Sequence, residues 1–173
     1  MTVAVRSRLA RAVLASALLA ALLSAQTCAA QDDSRLKAAF IFNIAQFTTW
    51  PPGPPGPARV LAICASPAHS VWPGLRELEG KALDGRALTV VDSGTGRSCD
   101  VMVYSASAAP AVAPVAVPGM LTIVDGARRG HYQGAVTLVE EDPHLRFDID
   151  TREAARAGLK FSSRLLQLAR NVL

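Results

Sequence analysis

At 173 residues, half of them hydrophobic, and with a formal charge of +4, the chain is long enough for one domain with its own core and needs no metal to fold. Arg6, Arg8 and Arg11 supply three of the positive charges within a first stretch of thirty residues that holds no acid, so residues 31–173 carry only +1. A nucleic-acid binder needs a clustered basic face and, for single strands, aromatic platforms; the sequence has neither as a cluster.

Those arginines precede an apolar run from Ala12 to Leu23, and Cys28, Ala29 and Ala30 follow it. A basic start, a short apolar core and a small-x-small site describe an export signal, cut here after Ala30, and the run is too short to span a bilayer. A lipid anchor on Cys28 is disfavoured, because Ala25-Gln26-Thr27 lacks the leucine and small residues that such processing requires. The expectation is a cleaved leader over 1–30, one domain over 31–173 and no stable membrane anchor afterwards. Cys64 and Cys99 then remain in a compartment where thiols oxidise, which favours a bridge over two buried free thiols. Closing that loop would add roughly 4 kcal/mol in the chain-entropy estimate.

Leu36, Phe40, Asn43 and Phe47 recur at spacings of four, three and four, broadened by Ile41, Ile44 and Thr48. The spacing predicts an amphipathic helix over 34–49, capped by Ser34 and stopped by Trp50-Pro51. Residues 51–57, five prolines and two glycines, read as a stiff surface connector. The apolar runs 58–65 and 99–105 predict neighbouring central strands buried on both faces. Between them fall a short helix around Leu75 to Leu78, closed by Gly80, and a strand from Ala87 to Val91. Pro110, Pro114 and Pro118 limit 106–118 to a broken helical turn or two.

A strand from Met120 to Val124 and a polar loop over 126–133 come next. Val136 and Leu138, then Leu145, Phe147 and Ile149, alternate around Glu141-Asp142-Pro143 as a hairpin with one buried face. Asp150 with Glu153 reads as a capping box for a helix that Gly158 ends. A last helix is predicted from Ser163 to Val172, with Leu165, Leu166, Leu168 and Ala169 inward. The fold class implied is α/β: a single-domain mixed sheet flanked by helices on both faces, with a C-terminal hairpin and a terminal helix.

Chemistry-bearing motifs are sparse. There is no Gly-x-Ser-x-Gly turn and no Cys-x-x-Cys, and His69, His131 and His144 read as loop histidines without metal-ligand spacing, so no metal or cofactor is expected. Gly94-Thr95-Gly96 lacks the lysine and further glycine of a phosphate loop. Asp92-Ser93-Gly94 resembles the active-site turn of aspartic proteases, which need a second carboxylate sharing the proton, here only from a homodimer; ordinary turn chemistry accounts for it better. Arg128, Arg129 and His131 sit in a glycine-bracketed loop where they can meet an acidic ligand or partner, against the plainer reading of a solvated turn. Trp50, beside the proline connector, is a further candidate for partner contact, whereas Phe40 and Phe47 suit a core.

Several of these segments occur in one order in a known family. The opening helix with Phe40, Asn43, Phe47 and Trp50-Pro51, Cys64 after a strand, Cys99-Asp100-Val101, Leu121 to Asp125, Leu145 to Asp150 and the ending from Ala157 to Ala169 together resemble the YfiR-like exported proteins. The resemblance covers essentially all of the chain after the leader. It implies a periplasmic, non-catalytic regulator with an α/β fold, a tendency to form homodimers and a disulfide between Cys64 and Cys99. The partner it implies is the periplasmic sensing domain of a transmembrane diguanylate cyclase, held inactive until release raises cyclic-di-GMP; related domains are associated with sensor kinases and outer-membrane receptors. The family's second disulfide, toward the C-terminal hairpin, has no cysteines here. A periplasmic small-molecule-binding module is the alternative reading.

Overall fold

The computed structural model describes residues 32–52, 60–126, 130–141 and 144–173. The expected leader, most of the proline connector, Arg128 and Arg129 lie outside the described residues. In chain order the elements are α1 (32–46), β1 (Thr48–Thr49), β2 (Leu61–Ala65), α2 (Trp72–Arg76), β3 (Ala82–Leu83), β4 (Arg86–Asp92), β5 (Val101–Ser105), β6 (Leu121–Asp125), β7 (Val136–Glu141), β8 (His144–Ile149), α3 (Thr151–Arg156), β9 (Lys160–Phe161), α4 (Ser163–Leu168) and β10 (Asn171–Val172).

The fold is α/β. One mixed sheet runs β10-β8-β7-β6-β5-β2-β4-β3, and β1 pairs separately with β9. The five strands β7, β6, β5, β2 and β4 are parallel neighbours. β2 and β6 are buried along their whole length, as continuous apolar runs between neighbours on both sides demand. Antiparallel β3 and β8 flank the parallel block, and β10 extends the sheet parallel to β8.

Alternation along the strands separates two clusters. Leu61, Ile63, Val101, Val103, Leu121, Ile123, Val136 and Leu138 join one core with Ala38, Ile41, Ile44 and Ala45 of α1, Leu75 of α2, Ala154 of α3 and Leu165 of α4. Ala62, Cys64 and Val91 form a second cluster with Cys99 and Met102. There the disulfide joins Cys64 to Cys99.

Several boundaries depart from expectation, each for a tertiary reason. In α1 the buried positions are Ser34, Lys37, Ala38, Ile41, Ile44 and Ala45, while Leu36 is 46% exposed and Asn43 is exposed. Ser34 is no cap: the helix has already formed before it, and its Oγ accepts the Gly74 backbone N–H at 2.8 Å. Helix α1 ends before Trp50, because Thr48 and Thr49 are drawn into pairing with Phe161 and Lys160. Residues 106–108 form a turn, and no helix follows up to residue 118. The final helix stops at Leu168, which is 61% exposed, since Asn171 and Val172 pair with Asp148 and Ile149 instead. The Asp150 cap forms as expected, accepting the N–H groups of Arg152 and Glu153.

Candidate functional site

Cys64 and Cys99 meet as expected, and Asp100 reinforces their join. Its carboxylate, buried, accepts the Ala62 N–H at 2.9 Å, while its own N–H donates to the Ala62 carbonyl. The start of β5 is thereby held to β2 by a covalent tie and by a side chain that completes the backbone ladder. Asp100 is thus a structural carboxylate.

Trp50 is half-buried at the rim of the main core, with the Arg86 guanidinium over its ring at 5.5 Å. Its indole N–H and Nη2 of Arg86 are buried without hydrogen-bond partners among the described residues. His131 lines a different cavity of about 340 Å³, with Tyr132, Asp148, Asp150, Glu153 and Arg156 around it. Behind that cavity runs a buried network. Tyr132 donates to Glu153 at 3.0 Å, Thr122 lies 2.7 Å from the same phenol oxygen, and Arg156 donates to Glu153 at 2.5 Å. Burial pushes the Tyr132 pKa up, aided by the Glu153 carboxylate and opposed by the Thr122 hydroxyl. Asp92 accepts the Gly94 N–H at 2.8 Å, which makes Asp92-Ser93-Gly94 an Asx turn at a strand end.

The most developed polar site lies elsewhere, where sheet topology opens the molecule. From β2 the chain passes through α2 to β4 on one side and then returns across β2 to β5 and β6 on the other. In parallel sheets such a reversal leaves a crevice at the carboxyl ends of the strands, the usual ligand position in this fold class. Paired registers between β2 and β5 end at Cys64 with Met102, and beyond that point a crevice of about 630 Å³ opens. Ser66, His69, Ser70, Ser105, Ser107 and Asp125 line it.

His69 enters this crevice on the turn after β2. Its N–H donates to the Ser66 carbonyl, and its Nδ1 accepts the Val71 N–H at 3.1 Å. That bond assigns the neutral tautomer with the proton on Nε2. Nε2 has no hydrogen-bond partner among the described residues, although the imidazole is only 4% exposed and Asp125 Oδ2 stands 4.0 Å away. Desolvation lowers the His69 pKa, with Lys37 adding to the effect and Asp125 and the Tyr104 backbone opposing it. Lys37 reaches down from α1 to Asp125 at 3.2 Å and Glu140 at 2.5 Å. A lysine on the buried stripe of α1 thus finds its carboxylate at the end of β6.

Chemically the arrangement binds better than it reacts. Nε2 carries the proton and is a donor, so in this tautomer it is no general base for the serine hydroxyls around it. Among the described residues no three His, Cys, Asp or Glu side chains converge as a metal site. In the sequence His69 reads as one of three loop histidines, and nothing sets Lys37 apart from the other charged residues. The available signal was positional: both belong to segments that must pack over the carboxyl end of a parallel sheet.

A family model described as YfiR/HmsC-like matches residues 34–170, nearly the whole of the folded unit from Ser34 to Leu173. The chain belongs to the YfiR/HmsC-like family. No curated protein matches it. The YfiR/HmsC-like family is one of periplasmic regulation rather than of enzymes, in keeping with a crevice lined by binding groups. Among the described residues no helix is long and apolar enough to cross a membrane.

Proposed function

We propose that the protein is exported, loses residues 1–30, and works in the periplasm as a non-catalytic repressor. Its target is the periplasmic sensing part of a membrane signalling protein, foremost a diguanylate cyclase and otherwise a sensor kinase. The supporting observation is the family match over residues 34–170, which spans the packed unit rather than one motif. Repression by binding needs no chemistry: a partner that prefers the inactive state shifts the equilibrium by its differential affinity, and about 5.5 kcal/mol moves a population from 1:99 to 99:1. The contact surface in this reading includes Trp50, His131, Arg128 and Arg129, and a homodimer is the form presented to the partner.

The test is twofold. Cross-linking the tagged protein in intact cells and identifying the captured envelope partner should yield a membrane cyclase or kinase in stoichiometric amount. Deleting the gene should raise cyclic-di-GMP if the partner is a cyclase; an unchanged messenger level across several growth conditions removes the cyclase version. Small-molecule binding is the second reading, favoured by the crevice at the carboxyl ends of β2, β5 and β6.

A further inference from the structure

We propose that the crevice at the carboxyl ends of β2, β5 and β6 binds a small, neutral, polyhydroxylated ligand, one hydroxyl of which bridges His69 Nε2 and Asp125 Oδ2. The inference stands on this site alone and does not depend on the repressor reading.

Three observations carry it. First, the crevice sits where the chain reverses direction across β2, and its volume of about 630 Å³ falls inside the ~300–1,000 Å³ typical of small-ligand sites. Second, it holds a donor that makes no well-formed hydrogen bond, although the Tyr104 backbone lies close enough to favour the protonated ring. His69 Nε2–H is buried without a hydrogen-bond partner among the described residues, and an unsatisfied buried donor favours a group that accepts from it. Third, the gap between Nε2 and Oδ2 is 4.0 Å, too long for a hydrogen bond and short enough for one oxygen to touch both. That oxygen must accept from the imidazole and donate to the carboxylate. A hydroxyl does both; a carbonyl, a carboxylate or an ammonium does only one.

Charge narrows the ligand further. Among the described residues Lys37 pairs with Asp125, which lines the crevice, and with the exposed Glu140, so the cation is already matched by carboxylates and offers little to an anion. A cation meets Lys37 itself, while Asp125 already serves that lysine. The rest of the lining is hydroxyl-rich: Ser66, Ser70, Ser105 and Ser107 surround the same space, with Ser105 and Ser107 hydroxyls 3.0 Å apart. Rotatable hydroxyls suit a ligand whose own groups both give and accept hydrogen bonds.

The experiment follows the His69 ring nitrogens by long-range nitrogen NMR on isotope-labelled mature protein. D-glucose, D-galactose, N-acetyl-D-glucosamine and myo-inositol are added separately, with sodium phosphate, sodium acetate and glycine betaine as charged comparisons. At least one of the four polyols should move Nε2 saturably while Nδ1, bonded to Val71, moves little. Calorimetry should then show roughly tenfold weaker binding for Ser105→Ala/Ser107→Ala and for His69→Gln, as loss of hydrogen bonds to the ligand requires. The serine pair lies at the crevice rim, so it keeps the test meaningful if His69→Gln folds poorly. Failure of all four polyols to bind saturably overturns the proposal. So does a saturable response to phosphate, acetate or betaine instead, or binding that both variants leave unchanged.

Discussion

Replacing Lys37 by methionine tests whether the roof of the crevice is held by charge. The Lys37 and Asp125 side chains are 6% and 8% exposed and 3.2 Å apart, whereas Glu140 is 67% exposed. At an effective dielectric constant near 20, one pair at that distance is worth about 5 kcal/mol of gross attraction, largely offset by taking both ions out of water. The exposed Glu140 adds at most about 1 kcal/mol after screening. Methionine keeps the stem and its packing but leaves the Asp125 carboxylate buried without its cation, for which the expected loss is about 3–5 kcal/mol. The Lys37→Met/Asp125→Asn protein should recover about 2 kcal/mol relative to additivity, since the stranded charge is gone. Urea unfolding of the four proteins at neutral pH, disulfide intact, measures the cycle. Nuclear magnetic resonance adds an independent readout: Lys37 lowers the His69 pKa, so Lys37→Met should let His69 protonate at higher pH. A loss below about 1 kcal/mol with an additive cycle would refute the reasoning and make Asp125 effectively hydrated.

The His69 pKa is depressed in the folded state, so its unfolded value of about 6.5 marks the upper edge of a sensitive window. Stability should be full above that pH and fall as acidification proceeds toward the lower folded value, and His69→Gln should flatten the dependence in urea melts across that range. Opening the Cys64–Cys99 bridge, by reductant or by Cys64→Ser/Cys99→Ser, should cost about 4 kcal/mol for a sequence separation of 35; paired urea melts with and without reductant check it. A Cβ on Gly74 would sit 2.3 Å from the Ser34 carbonyl oxygen and 2.6 Å from its carbon, both backbone atoms. Gly74→Ala should therefore destabilise by about 1–3 kcal/mol net, the crowding outweighing the gain of up to ~1 kcal/mol in helix propensity; a neutral or stabilising result in thermal melts would mean α1 and α2 are not in tight contact.

The parts legible in the sequence were those written locally. The apolar runs of β2 and β6 and the alternation of β7 and β8 state their own burial, and Asp150 announces its helix by a short-range bond, whereas β5, expected to be buried on both faces, buries only Val101 and Val103 fully. The β3–β4 hairpin was also locally written, in Asp84-Gly85, where both residues have positive φ, and sequence reading saw only its second strand. What failed was set by distant partners. Lys37 looks solvated by hydropathy, so the stripe of α1 was centred on Leu36 and Asn43 instead of on the face that meets Asp125. Residues 169–172 carry a helical pattern, yet Arg170 bonds both Asp148 and Glu141, and Asn171 bonds Asp148, which turns the chain into an edge strand. The crevice belongs to this second class, because no spacing brings His69, Ser105 and Asp125, with Lys37 behind Asp125, together before the sheet does.

That origin links the disulfide to the crevice. β2 and β5 are neighbours only because the chain crosses back over β2, and the crevice opens at the carboxyl ends of these strands. Just before β5, Cys99 is bonded to Cys64, the last β2 residue paired with β5, and Asp100 takes the Ala62 N–H, so a covalent bond and a buried carboxylate tie the two strands. At the carboxyl ends pairing has ceased after Met102, and the space goes to His69 and the serines. The clamp lies in the small apolar cluster with Ala62, Val91 and Met102, apart from the main core, so it fixes the strands without filling the crevice. A covalent tie that reaches Cys64, one residue before the end of β2, restrains the strand that carries the His69 turn, and if the crevice takes a ligand, such restraint lowers the ordering cost of binding.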